Sequence, residues 1–149
     1  GAAEPCDPQS LFVTTGRGVY LSNNAGASWK YVKGFSRSYM VPLLITGETI
    51  VVAAAAGPPS MWPMTQQGAD ALLFQSIDRG HSFSPMVWDD GVAHPMRGMV
   101  MRLLPNPANA NEFFGVLSDG SAIRVDQRSG VTRTIANRLP PAYDFAVIP

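Results

Sequence analysis

Ser22-Asn23-Asn24-Ala25-Gly26-Ala27-Ser28-Trp29 returns in outline as Ser76-Ile77-Asp78-Arg79-Gly80-His81-Ser82-Phe83. The shared pattern is Ser-x-(Asp/Asn)-x-Gly-x-x-(Trp/Phe), and each copy follows a short apolar run of strand character. Asn24 and Asp78 carry side-chain oxygens that accept hydrogen bonds from backbone N–H groups inside a tight turn. Gly26 and Gly80 supply a positive φ that other residues resist. Ser22 and Ser76 add a hydroxyl bond. Trp29 and Phe83 set a large apolar plug at the head of the next strand, against a neighbouring strand or unit. Each copy therefore reads as a hairpin staple, and agreement of residue type at all these positions argues against two unrelated turns. A fainter third copy stands at Asp126-Gln127-Arg128-Ser129-Gly130. The copies start at 22, 76 and 126, steps of 54 and 50 residues. A repeat of that length is one supersecondary unit that needs its neighbours to bury its faces.

The two full copies resemble the Asp box of the sialidase-like, BNR-repeat β-propellers. Leu104-Pro105-Asn106-Pro107 followed by Phe113-Phe114-Gly115 resembles the A-to-B connection of sortilin-type and photosystem II assembly-factor-type propellers. The resemblance implies an all-β fold of four-stranded blades, with strands A to D running outward from a central axis and the box between C and D. It also implies that Ser22, Asn24, Gly26, Trp29, Ser76, Asp78, Gly80 and Phe83 are structural. In this family they lie away from the face that meets ligands.

The chain divides on this reading into an irregular leader, 1–9, and half of a propeller, 10–149. In the first blade, about 11–32, Leu11–Thr15, Val19–Leu21 and Trp29–Val32 read as B, C and D; no A strand precedes them. The second blade, about 39–88, has Tyr39–Thr46, Thr49–Ala56, Ala71–Gln75 and Phe83–Trp88. Its B-to-C connection is long, and three prolines in 57–68 forbid a regular ladder there. The third blade, about 96–135, has Met96–Leu104, Glu112–Leu117, Ala122–Val125 and Val131–Ile135. Tyr143–Ile148 reads as a spare A strand, able to close a first blade. Three four-stranded blades do not readily curve round an axis, since propellers have four to eight. Either the chain is a piece of a longer protein, or two copies join as a homodimer into a six-bladed propeller, each lending its last strand to the other's first blade. Two-fold pairing is the commonest oligomer.

Composition narrows the function classes. The 149 residues carry 11 basic and 11 acidic side chains, no formal net charge, and 46% hydrophobic residues. No basic run suggests nucleic acid, and the longest apolar piece, Ile50–Ala56, is strand-sized, too short for a membrane helix. Fourteen Gly and 13 Pro suit many short strands and turns. Cys6 is the single cysteine, so no internal disulfide forms. The start Gly1-Ala2-Ala3-Glu4-Pro5 fits a mature exported chain, and Asp-box propellers are often exported; a secreted or periplasmic location is expected.

The resemblance implies that ligands approach the face carrying the D-to-A and B-to-C connections. The candidate binding residues there are Arg37, Tyr39, Met61, Trp62, Met64, Asp89, Asp90, His94, Arg97, Arg138 and Tyr143, with Met96 and Asp144 beside them. Trp62 is the strongest pointer, since an aromatic in a long connecting loop is more often functional than one in a strand. Its competing role is to pack over a blade or into a dimer seam. A sialidase needs an arginine cluster, a tyrosine nucleophile with a glutamate partner and an acid/base carboxylate. Where that family has arginine in a Tyr/Phe-Arg-Ile-Pro motif, this chain has Tyr39-Met40-Val41-Pro42. Arg97 and Arg102 stand on another strand, and the only glutamates are Glu4, Glu48 and Glu112. No catalytic residue, metal ligand set or cofactor is expected: His94 stands without zinc-site spacing, and Met96, Met99 and Met101 alternate as packing residues do. The expected function is a non-catalytic module for a protein or other macromolecular partner. The alternative is a glycan-binding or glycoside-hydrolysing propeller working from Asp89 or Asp90.

Overall fold

The computed structural model describes residues 2–4, 7–137, 139–140 and 145–148. Thirteen strands are described, and they form three sheets. Sheet I takes β1 (Ala2–Glu4), β2 (Asp7–Thr15), β3 (Gly18–Ser22) and β4 (Lys30–Val32) in that order. Sheet II takes β5 (Tyr39–Thr46), β6 (Thr49–Ala55), β7 (Leu72–Ser76) and β8 (Ser84–Pro85). Sheet III takes β10 (Val100–Asn106), β11 (Asn109–Leu117), β12 (Ala122–Asp126) and β13 (Val131–Ala136), with β9 (Val87–Trp88) added outside β13. Neighbours are antiparallel except β9 and β13, which run parallel. Among the described residues no helix is long and apolar enough to cross a membrane.

The sheets stack, and the middle one is covered on both sides. Ile50, Val52, Ala54, Leu72 and Phe74 of sheet II meet Phe12, Val19 and Val32 of sheet I. The alternate residues Val51, Ala53, Ala55 and Leu73 meet Val100, Leu103, Phe113, Leu117, Ile123 and Val125 of sheet III. Side chains alternate between faces along a strand, so a strand with neighbours on both faces must be apolar at every position. That is why Ile50–Ala56 is an unbroken greasy run. The small Ala side chains at 53–55 also let the sheets approach closely. The first strand of sheet II, β5, touches β1 and β2 on one side and β10 on the other.

Several sequence expectations need correction. Over its described residues the leader 1–9 is not irregular: Ala2 pairs with Phe12 and Ala3 with Leu11, so Ala2–Glu4 supplies the first strand of sheet I. An uncovered inner edge of β2 would leave its backbone donors and acceptors unpaired. The expected closing strand at 143–148 does not form over its described part, 145–148; Tyr143 and Asp144 lie outside the described residues, as do Cys6 and Arg138. Exchange of a final strand therefore has no gap to fill in sheet I. The expected strand Phe83–Trp88 splits: β8 pairs with β7, while β9 crosses to sheet III, making that sheet five-stranded rather than four. Met86, between the two, is 3% exposed and donates its N–H to the Leu73 carbonyl at 2.8 Å, so the crossing point is itself anchored in the core. The expected strand at Met96–Leu104 starts only at Val100, because Met96 is held instead in an isolated bridge to Ala71. Residues 57–68 contain a 3₁₀ turn, Pro59–Met64.

Candidate functional site

The two repeated turns share their bonds save one that reverses: Asn24 Nδ2 donates to Ser28 Oγ at 2.8 Å, whereas Ser82 Oγ donates to Asp78 Oδ2 at 2.5 Å. Gly26 N–H donates to Ser22 Oγ at 2.8 Å, and Gly80 N–H to Ser76 Oγ at 2.8 Å. Ser22 Oγ donates to Asn24 Oδ1 at 2.9 Å, and Ser76 Oγ to Asp78 Oδ1 at 2.7 Å. Ser28 N–H and Ser82 N–H each donate to the Asx oxygen at 2.9 Å. Ala25 and Gly26 have φ of 55° and 91°, and Arg79 and Gly80 have 58° and 87°. The Asp78 carboxyl is held far below the ordinary carboxylate range. The hydroxyl of Ser82 is the main cause, followed by the Ser76 hydroxyl and the Ser82 N–H. At 126–130 only an Asx turn remains, with Arg128 N–H donating to Asp126 Oδ1 at 2.8 Å. These turns close the strand ends opposite the long 57–70 connection. Arg79 pairs at 3.2 Å with Glu48 of the β5–β6 turn there, and Thr46 Oγ1 donates to Gln127 Oε1 at 3.1 Å.

At the other end, the 57–70 connection is clasped from both sides. Arg37, in the chain leaving sheet I, donates Nε to the Asp70 carbonyl at 2.7 Å and pairs with the Asp70 carboxylate at 3.0 Å. Arg97, between β9 and β10 of sheet III, donates to the Gln66 carbonyl, and its own carbonyl accepts from Ala69 N–H at 2.8 Å. A Cβ on Gly68 would stand 2.5 Å from the Arg97 carbonyl oxygen, so only glycine allows this approach. Trp62 is a strut as well as a surface residue. Its Nε1–H donates to the Gly57 carbonyl at 2.8 Å, and its ring meets Tyr39 edge-on, centroids 6.2 Å apart. Met61 and Met64 flank it, 50% and 81% exposed.

The remaining expected site residues separate into two groups. Asp90 and His94 form an exposed pair at 2.5 Å. The His94 ring, then the Val92 N–H, lower the Asp90 carboxyl below its ordinary value. Trp88 donates Nε1–H to the His94 carbonyl at 3.1 Å, which holds this loop beside Met96 and Arg97 in a small cleft of about 190 Å³. Asp89 turns away and pairs with Arg133 at 2.9 Å. It lines an open charged groove of about 410 Å³ with Glu112, Arg124, Asp126 and Arg133. Arg37, Tyr39, Met61, Trp62 and Arg97 are thus gathered round one loop, and Asp89 is not among them. Sequence reasoning missed Asp70, whose φ of 49° is unusual for a non-glycine residue, and Gly57, Gln66 and Gly68, whose backbone does the gathering. Backbone acceptors leave no signal in residue type.

The hollow beside Trp62, lined also by Met61, Thr65, Gln67 and Asp70, holds about 200 Å³. Small-molecule sites run to roughly 300–1,000 Å³ and enclose their ligand. This face offers instead a shallow relief of two exposed methionines, two aromatic rings and paired charges.

No protein-family model and no curated protein matches the chain. Solved structures do. An ancestral GH74 enzyme aligns over 89% of this chain and 17% of its own, with a TM-score of 0.62 at 16% identity. YCF48 from Cyanidioschyzon merolae aligns over 93% of this chain and 36% of its own, TM-score 0.60 at 16% identity. YCF48 bound to D1 peptide aligns over 87% and 38%, TM-score 0.54 at 12% identity. All three are β-propellers, and the fold of this chain is a β-propeller fold. The chain spans well under half the length of each of these proteins.

Proposed function

We propose that this chain is a non-catalytic propeller module of Asp-box blades that binds an extended protein segment across the face carrying Met61, Trp62 and Met64. The observation that carries the reading is the exposure of two methionines beside a half-buried, hydrogen-bonded Trp62. Flexible thioethers adapt to varied apolar partners, while a fixed aromatic gives them a firm seat. Arg37 and Arg97 then act by holding the loop rather than by meeting the partner first. The likeness to YCF48 bound to D1 peptide supports a peptide as the partner class. Panning a displayed peptide library on the wild-type chain, then retesting the binders on Met64→Glu and Trp62→Ala, tests it. Both variants should weaken binding by at least about tenfold; unchanged binding on both discards this face. The same reading includes an exported location and self-association of two chains into a six-bladed ring.

A second reading, glycan binding or glycoside hydrolysis, is favoured by the groove in which Asp89, Glu112 and Asp126 meet Arg124 and Arg133, and by the likeness to a GH74 enzyme. A glycan array and a fluorogenic glycoside panel test it, and blank results in both retire it.

A further inference from the structure

Ladder register makes sheets I and II comparable position by position. Leu11 pairs with Ser22 and Val13 with Tyr20 in sheet I; Ile50 pairs with Ser76 and Val52 with Phe74 in sheet II. Counted from the repeated serine, Leu11 corresponds to Ile50, Val13 to Val52, and Tyr20 to Phe74. In sheet II these three are 1%, 0% and 1% exposed, sealed against sheet I. In sheet I their counterparts are only half-buried, and the Tyr20 ring meets that of Tyr31, itself 44% exposed, at 5.4 Å. The turns agree. A Cβ on Gly80 would strike Phe12 of sheet I at 2.5 Å, and one on Gly130 would stand 3.2 Å from Gln75 of sheet II. Each of these glycines is thus seated on the preceding sheet. A Cβ on Gly26 meets only Trp29 and Leu11 of its own sheet, at 3.6 and 3.7 Å.

The far end of the stack is open in the complementary sense. Phe114, Val116, Ala122 and Ile135 lie on the face of sheet III turned away from sheet II. With 145–148 alongside they line an open, apolar groove of about 380 Å³. Ile135 and Ile148 are 54% and 90% exposed.

We infer that the Leu11–Val13–Tyr20 face of sheet I docks the Phe114–Val116–Ile135 face of sheet III in a second copy of this chain. This rests on the self-association proposed above and replaces strand exchange, which sheet I does not need, with face-to-face blade stacking. What covers the equivalent face twice within the chain is the preceding sheet of the stack, sheet I over sheet II and sheet II over sheet III. The Phe114–Val116–Ile135 side of sheet III is a trailing face of that kind, and a second copy supplies it. The contact is heterologous, and applied twice it closes a ring.

The test uses two variants on the full chain, Tyr20→Glu on one face and Ile135→Glu on the other. Both side chains are accessible, and circular dichroism and melting check the fold. Scattering mass should show wild type at twice the chain mass, and each variant alone about tenfold or more weaker in association. Mixing the two variants should restore partial association. A mixed pair keeps one intact contact, formed by sheet III of the Tyr20→Glu chain and sheet I of the Ile135→Glu chain. A wild-type monomer at all concentrations overturns self-association itself. A dimer indifferent to both variants, or no recovery on mixing, overturns this surface and leaves self-association standing.

Discussion

The turns at 22–29 and 76–83 are near copies in sequence and in hydrogen bonding, yet they live in different surroundings. Gly80 is buried against Phe12, while Gly26 is half-exposed. Phe83 packs at 4.8 Å against Phe35, which in turn meets Phe74 at 5.1 Å; Trp29 is 44% exposed. The bonds inside the turn are local and follow from residue type. The burial is set by whether a sheet stands in front. A repeated motif therefore fixes the shape of a hairpin without fixing how much that hairpin contributes to stability.

Four measurements would break or sharpen this contrast. The largest effect is expected from Phe74→Ala, about 3–5 kcal/mol of lost stability in urea unfolding, because a sealed ring leaves a cavity. Its counterpart Tyr20→Ala should cost no more than about 1 kcal/mol in the monomer, and equal losses would refute the difference between the faces. Next come the glycines. Gly26→Ala should cost about 1–2 kcal/mol for its left-handed backbone. Gly80→Ala should add about 1–3 kcal/mol for overpacking on Phe12.

A smaller effect concerns acid. The folded Asp78 carboxyl titrates below its unfolded value of 3.8, so its contribution is present above that value and lost as pH falls below it toward the folded value. Wild type should lose stability relative to Asp78→Asn only below about pH 4, as read from melting temperatures across pH. The smallest expected change is in Asn24→Asp, which should give the first turn the same acid sensitivity. A flat profile there would mean that the two bond sets are less alike than their distances.

How much was legible follows from the range of each interaction. The staples were readable because their donors and acceptors lie within a few residues of one another. Ile50–Ala56 announced a strand, but not that both its faces would be covered. The split of Phe83–Trp88 left no local trace, since Pro85 and Trp88 are equally at home in one strand or in two. Among candidate site residues, the nearness of Trp62 to Tyr39 followed from a loop and a strand start meeting at one end. Arg37 and Arg97 looked like ligand groups because charge in a loop reads as function. Their actual acceptors are the main-chain carbonyls of Asp70 and Gln66, which residue type does not reveal.

The sequence by itself determined the repeat, its turns and an all-β chain of short strands, because these depend on φ preference, side-chain bonding to nearby backbone and alternation of apolar residues. Only the tertiary structure decided that Ala2–Glu4 completes sheet I and that β9 leaves its own sheet for the next. Those outcomes depend on which distant backbone edge or apolar face comes within reach once the sheets have stacked.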